Sequence, residues 1–213
     1  MFVGHVAVGL LARRAEPKIS LGTWMLAVLA ADFVAFPLLI VGVESFSGGR
    51  GAHIAYSHSL LMDILWAALF ASLYYCARRN RRAAWLLFAA VLSHWLLDVV
   101  SHRPDMPLAP GVPAVFGLGL WNSFPATLIV EGGFWLFGIA LYVRATRPAR
   151  RSGVFGFWIG SGLLGLSWYN NVTRGMEPKP VKAGTGGLIF FSLIVAWGYW
   201  MNRARPVSAA RPG

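Results

Sequence analysis

Charge is what this sequence has least of: 13% of its 213 residues are Asp, Glu, Lys or Arg, while 57% are hydrophobic. A soluble domain is nearer a quarter charged, because its surface must be wetted. A soluble fold is therefore excluded. Carboxylates are scarcer still, with eight against 19 Lys and Arg and a formal net charge of +11. That excess does not make a nucleic-acid binder, because the basic residues sit in short clusters between apolar runs and form no continuous basic face. Cys76 is the single cysteine and lies in an apolar run, so there is neither a disulfide framework nor a Cys-based zinc site. A cleavable leader pattern is also missing. The first apolar stretch, residues 2–12, is followed by Arg13 and Arg14 instead of being preceded by them, and it has no A-x-A type cleavage site.

What is present is a series of apolar runs of the roughly 18–20 residues needed to cross a bilayer. Six spans are predicted, near residues 21–43, 59–77, 83–100, 124–143, 154–170 and 186–201. The expected fold class is all-α: a polytopic transmembrane helical bundle forming one integral membrane domain over residues 1–203, with a disordered cytoplasmic tail over 204–213. Residues 2–12 are too few to span and are read as an interfacial helix or a buried, re-entrant half-helix. Basic clusters around 13–18, 78–82, 144–151 and 203–211 fall in one set of loops, and only Arg50, Arg103, Arg174, Lys179 and Lys182 fall in the other. By the positive-inside bias both termini are cytoplasmic. Segments 44–57 and 101–123, rich in Gly and Pro, lie outside and are patterned enough to fold back over the bundle.

Ionisable groups inside a bilayer are costly unless paired, so each is a candidate functional residue. His94, Asp98 and His102 are spaced by four and form one stripe on a helix, with Asp105 just beyond. Such a stripe supplies the nitrogen and oxygen ligands that zinc, manganese or iron accept. Asp32 lies within the first span, about 16 Å from its start at Leu21, and His5 on a half-helix rising from Arg13 reaches about 12 Å, so the two depths can meet. His53 and His58 stand at the outer entrance of the second span, with Asp63 about one turn further in, and Glu131 is in the outer half of the fourth. The bland alternative is that these groups bond one another and tie helices together. Trp121 and Asn122 lie at the outer interface, where a belt anchor or a substrate contact is expected.

At these residues the sequence resembles the bacterial family of LexA-regulated, membrane-bound metal-dependent hydrolases. Its N-terminal His is matched by His5, its PDxD-like element by Asp32 in AADFVAFP, its HRGxTHS element by residues 53–59 (HIAYSHS), and its HxxxD by residues 94–98 (HWLLD). The resemblance runs to about Asp105, roughly half the chain. Phe33 and Val34 stand where a second carboxylate would be, and Ile54 and Ala55 replace the Arg and Gly. Together with the ligand types, the resemblance implies an inner-membrane hydrolase with a divalent metal, zinc first and manganese or iron as alternatives. His58, His94 and Asp98 would ligate, with His5, Asp32 and His53 completing one or two sites. The metal would supply hydroxide at neutral pH. Asp105 or Asp32 would act as general base, His102 would protonate the leaving group, and Arg103 would steady an anionic group such as phosphate. The implied partners are membrane lipids and a small-molecule or lipid-like ester, phosphoesters first. Two other classes stay open: a proton- or cation-coupled transporter or channel using Asp32 or Glu131, and a non-catalytic membrane protein with a structural polar cluster.

Overall fold

A computed structural model describes residues 1–45, 53–175 and 179–207. Its first helix, α1 (Phe2–Ala15), has no Asp, Glu, Lys or Arg until Arg13 and Arg14 in the last turn, where cations complement the carbonyl end of the helix dipole. Val3, Val6, Ala7 and Leu10 are fully buried. Of the two expectations for this stretch, the buried one holds.

The predicted first span is broken. α2 (Leu21–Val28) starts at Ser20, whose hydroxyl accepts from the Thr23 N–H, and α3 (Ala30–Ile40) follows after Leu29 with a bend of 54°. The bend puts Asp32 in the first turn of a new helix, where a carboxylate is favoured by the exposed N–H groups. A single turn, α4 (Ala55–His58), then leads into the hairpin of α5 (Leu60–Arg78) and α6 (Arg81–Ser101). The hairpin is set by its caps. Ser59 accepts from the Met62 N–H, Arg79 takes the left-handed conformation at φ 53°, and Asn80 accepts from the Ala83 N–H. Leu61, Leu65, Leu69 and Leu73 make an exposed stripe along α5, the face expected to meet lipid.

Residues 101–123 fold back as expected. Strands β1 (Met106–Pro107) and β2 (Val115–Phe116) pair antiparallel with Met106 opposite Phe116. The Trp95 indole donates to the Pro107 carbonyl, and the Leu61 N–H donates to the Leu108 carbonyl, fastening this cap to the open end of the hairpin. A continuous helix then runs Phe124–Ala145, made of α7 (Phe124–Thr127), a wide π turn (Leu128–Gly132) and α8 (Gly133–Ala145). Gly138 lets α8 lie close on α1, since a Cβ there would be 3.0 Å from the Ala7 Cα. The chain ends with α9 (Arg151–Arg174) and α10 (Pro180–Ala204). Of the expected tail, residues 204–207 are described and packed: the Arg205 guanidinium donates to Thr146, and Val207 bridges to the same residue. Residues 208–213 lie outside the described residues.

The molecule is thus an all-α membrane bundle. Among the described residues, four helices are long and apolar enough to cross a bilayer, those of Leu60–Arg78, Arg81–Ser101, Phe124–Ala145 and Pro180–Ala204, and a fifth if the bent α2–α3 pair counts as one span. The predicted 154–170 span falls within α9, which has 24 residues. Its length suffices, but Gly, Ser and Asn along it keep it below the apolarity of the other four. α1 sits at the centre, in contact with α2, α6 and α8.

Candidate functional site

Five polar side chains from four helices meet near the N-terminal end of α1. His5 comes from α1, Asp32 from the first turn of α3, His58 from the end of α4, and His94 and Asp98 from one face of α6. All but Asp32, which is partly exposed, are buried. They border a cavity of about 340 Å³.

The hydrogen-bond partners fix which nitrogen of each ring faces inward. His94 Nδ1 lies 2.8 Å from the Val28 carbonyl, which can only accept, so Nδ1 carries a proton and, in the neutral ring, Nε2 presents its lone pair. His58 Nδ1 lies 2.7 Å from the Ser57 hydroxyl. That hydroxyl already donates its single proton to Glu44 Oε2 at 2.6 Å, so it accepts from His58 Nδ1–H, and in the neutral ring Nε2 again presents its lone pair. Glu44 is itself held by the Tyr56 and Ser57 N–H groups, both at 2.9 Å to Oε1.

The two Nε2 atoms face each other at 3.3 Å. Carboxylate oxygens close around the same point. Asp98 Oδ2 is 3.3 Å from His94 Nε2 and 3.9 Å from His58 Nε2, and the Asp32 oxygens are 3.6 Å from each nitrogen. With both rings neutral, these five atoms offer only lone pairs, and they repel one another unless a cation or a proton lies between them. Bonds of about 2.0–2.1 Å from a tetrahedral zinc put its ligand atoms about 3.3 Å apart. The donor set could therefore hold such an ion. Two overlapping groups have metal-ligand spacing, His5–His94–Asp98 and Asp32–His58–His94. They share His94, which has one lone pair and can serve one ion.

His5 stands behind this point. Its ring stacks on His94 with centroids 3.7 Å apart and planes 5° from parallel, and its Nε2 is 3.0 Å from Asp98 Oδ1. The Met1 amino nitrogen contacts the same oxygen. Asp98 Oδ1 is thus engaged by α1, while Oδ2 faces the His58 and His94 Nε2 atoms.

Other expected residues fall into three places. His102 lines the cavity mouth, its Nδ1 3.0 Å from Asp105 Oδ1 and its ring 4.6 Å from that of Trp121. Asp105 does not border the cavity; it holds His102. Arg103 is exposed and 4.0 Å from Asp105. His53 is not brought to the cluster, because a backbone bridge to Ser45 leaves its side chain exposed. Asp63 is fully buried in α5, and neither of its oxygens has a hydrogen-bond partner among the described residues. Glu131 is outside the cluster. Turned inward by the π turn, it accepts from the Val3 N–H at 3.1 Å and from the Trp121 indole at 3.2 Å, anchoring the start of α1 to the mouth. Glu44 and Ser57 were not expected. The one sequence cue was a hydroxyl directly preceding His58.

The model of the YdjM inner membrane protein family matches residues 1–173, which contain every residue of the cluster. The chain belongs to that family. Inner-membrane residence follows from the family and from the apolar helices. The chain is also similar to an apolipoprotein N-acyltransferase of Parasynechococcus marenigrum (strain WH8102), 27% identical over 188 residues. That alignment covers 79% of this chain and 38% of the relative, so the chain spans under two fifths of that protein's length. No solved structure matches.

Proposed function

We propose that this family member is a membrane-embedded, metal-dependent hydrolase of a lipid-like phosphoester. The observation that carries the reading is the convergence of two imidazole Nε2 atoms and two carboxylates on one point, with each ring pinned from behind. Rings that served only to tie helices together would pair a donor with an acceptor. Here both Nδ1 atoms are engaged from behind, so both Nε2 atoms face the carboxylates.

His58, His94 and Asp98 would hold the ion, zinc first and manganese or iron as alternatives. Bound there, the metal would polarise a phosphoryl oxygen and lower the pKa of a water. His5 fixes the Asp98 carboxylate through Oδ1, and Glu44 through Ser57 fixes the tautomer of His58. Asp32, the one partly exposed carboxylate of the cluster, is placed to take a proton from water. His102 faces the cavity with Nδ1 held by Asp105, and as an imidazolium it would give its Nε2 proton to a departing oxygen. Arg103, just outside, would attract an anionic headgroup. The acyl transfer named for the cyanobacterial relative agrees with lipid chemistry. For topology we infer six spans, α9 included, with both termini cytoplasmic.

The test is release of headgroup or phosphate from phosphatidic acid and phosphatidylglycerol by the zinc-supplemented protein in nanodiscs. Turnover that disappears in Asp98→Ala supports the reading. Absence of turnover in metal-bearing protein, together with proton or cation flux in liposomes, would replace it with the transporter reading.

A further inference from the structure

The polar centre occupies one end of the cavity, and the other wall is apolar. Phe2, Phe36, Phe190 and Phe191 form it, with the Phe36 and Phe191 rings edge-on at 5.0 Å and the Phe2 and Phe191 rings stacked at 5.7 Å. Along α10, Lys182, Gly186 and Phe190 all border the cavity, and their spacing of four puts them on one face. From the N-terminal end, that face presents a cation, a gap and a ring over about 12 Å.

The gap is not a packing requirement. A Cβ at Gly184 would meet the Phe36 carbonyl at 2.7 Å, and one at Gly187 would enter the Phe36 ring, so both glycines are needed where α10 crosses α3. Gly186 differs. It is exposed, and a Cβ there would meet nothing within 4 Å. The cavity wall is therefore open at Gly186, beside Ile189 and Leu193, which are themselves exposed on the apolar helix surface.

We propose that this opening is the exit for one alkyl chain of an anionic, phosphate-bearing amphiphile. The headgroup lies at the polar centre, Lys182 neutralises charge at the rim, and the chain passes over Gly186 and the phenyl rings into the bilayer. The placement of the headgroup rests on the hydrolase reading; the chain exit adds the substrate class. The chemistry is complementary along the whole path. A flexible ammonium meets phosphate as a point charge, the aromatic wall meets methylenes, and a volume of about 340 Å³ falls within the range of small-molecule sites, about 300–1,000 Å³.

A dodecylphosphonate with a diazirine near its chain end is a suitable probe, because it cannot be turned over as an ester. It would be photolysed with the zinc-supplemented full chain in neutral-lipid nanodiscs, and the adducts mapped by peptide mass spectrometry. Labelling should concentrate on residues 182–191 and be displaced by dodecyl phosphate but not by inorganic phosphate. Gly186→Leu should lower it about tenfold, the effect of about 1.4 kcal/mol of lost binding. Gly162→Leu, on α9 and also with open space at its Cβ, should leave it unchanged and so controls for folding. Lys182→Gln should weaken the phosphonate probe more than the matching alcohol probe. Labelling that is even over the lipid-facing helices, or unchanged by Gly186→Leu, overturns the proposal. Displacement by inorganic phosphate as readily as by dodecyl phosphate would point to free phosphate and overturn it too. Focused labelling of α10 in a protein that hydrolyses nothing would retain the chain exit and remove the hydrolase reading.

Discussion

His5 and His94 lie face to face, their ring centroids 3.7 Å apart and their planes within 5° of parallel. Two stacked imidazolium ions at that distance would repel, so the pair is compatible with at most one charge. Asp98 faces both rings, with Oδ1 3.0 Å from His5 Nε2 and Oδ2 3.3 Å from His94 Nε2. The contact joins the helix buried at the centre of the bundle to the helix that carries the HxxxD element. His5→Phe keeps a flat ring for the stack but removes the hydrogen bond to Asp98. It should leave the protein folded and lower metal affinity about 10–100-fold, the usual effect of losing an outer-shell partner. Competition with a chromogenic chelator measures this, and unchanged affinity would show that His5 serves packing alone.

The Glu44–Ser57–His58 chain predicts a second effect of the same kind. Ser57→Ala frees His58 Nδ1 and lets the ring take either tautomer, so metal affinity should fall by about 10–100-fold. Ser57→Thr keeps the hydroxyl and should restore most of it. If alanine and threonine behave alike, the hydroxyl does not set the tautomer.

His53 gives a negative control. Its side chain is exposed and away from the cluster, so His53→Ala should keep the metal content of the unaltered protein. Loss of metal in that variant would mean that His53 reaches the site after all.

Glu131 should matter for stability and not for metal. Its two oxygens satisfy the Val3 N–H and the Trp121 indole in a fully buried position. Glu131→Ala orphans both donors and should destabilise the protein by about 2 kcal/mol. Thermal unfolding in mild detergent would show a lowered midpoint with metal stoichiometry retained. An unchanged midpoint would contradict the anchoring role.

Much of the bundle was legible because burial in lipid requires long apolar runs, and those run lengths survive in the sequence for α5, α6, the 124–145 helix and α10. The break at Leu29 was not. No proline or glycine marks it, and a uniformly apolar stretch carries no periodicity to show where a helix bends. The four-residue spacing of His94 and Asp98 exposed the centre of the site, and the depth of Asp32 and His5 placed them near it. Glu44 escaped notice because it lies beyond the predicted first span, and only the fold of residues 53–58 carries Ser57 to it. His53 misled for the opposite reason. It sits in the same short motif as His58, yet residue 53 bridges to Ser45 and only residue 58 begins to enter the bundle.

The central claim is that His58, His94 and Asp98 hold one metal ion. Inductively coupled plasma mass spectrometry of the protein purified in mild detergent tests it most directly, with His94→Ala and Asp98→Ala purified alongside and their folding verified by thermal unfolding. Near-stoichiometric zinc, manganese or iron that is lost in both variants is the predicted result. Well-folded protein that carries no metal after supplementation, or a His94→Ala protein that keeps it, would contradict the account.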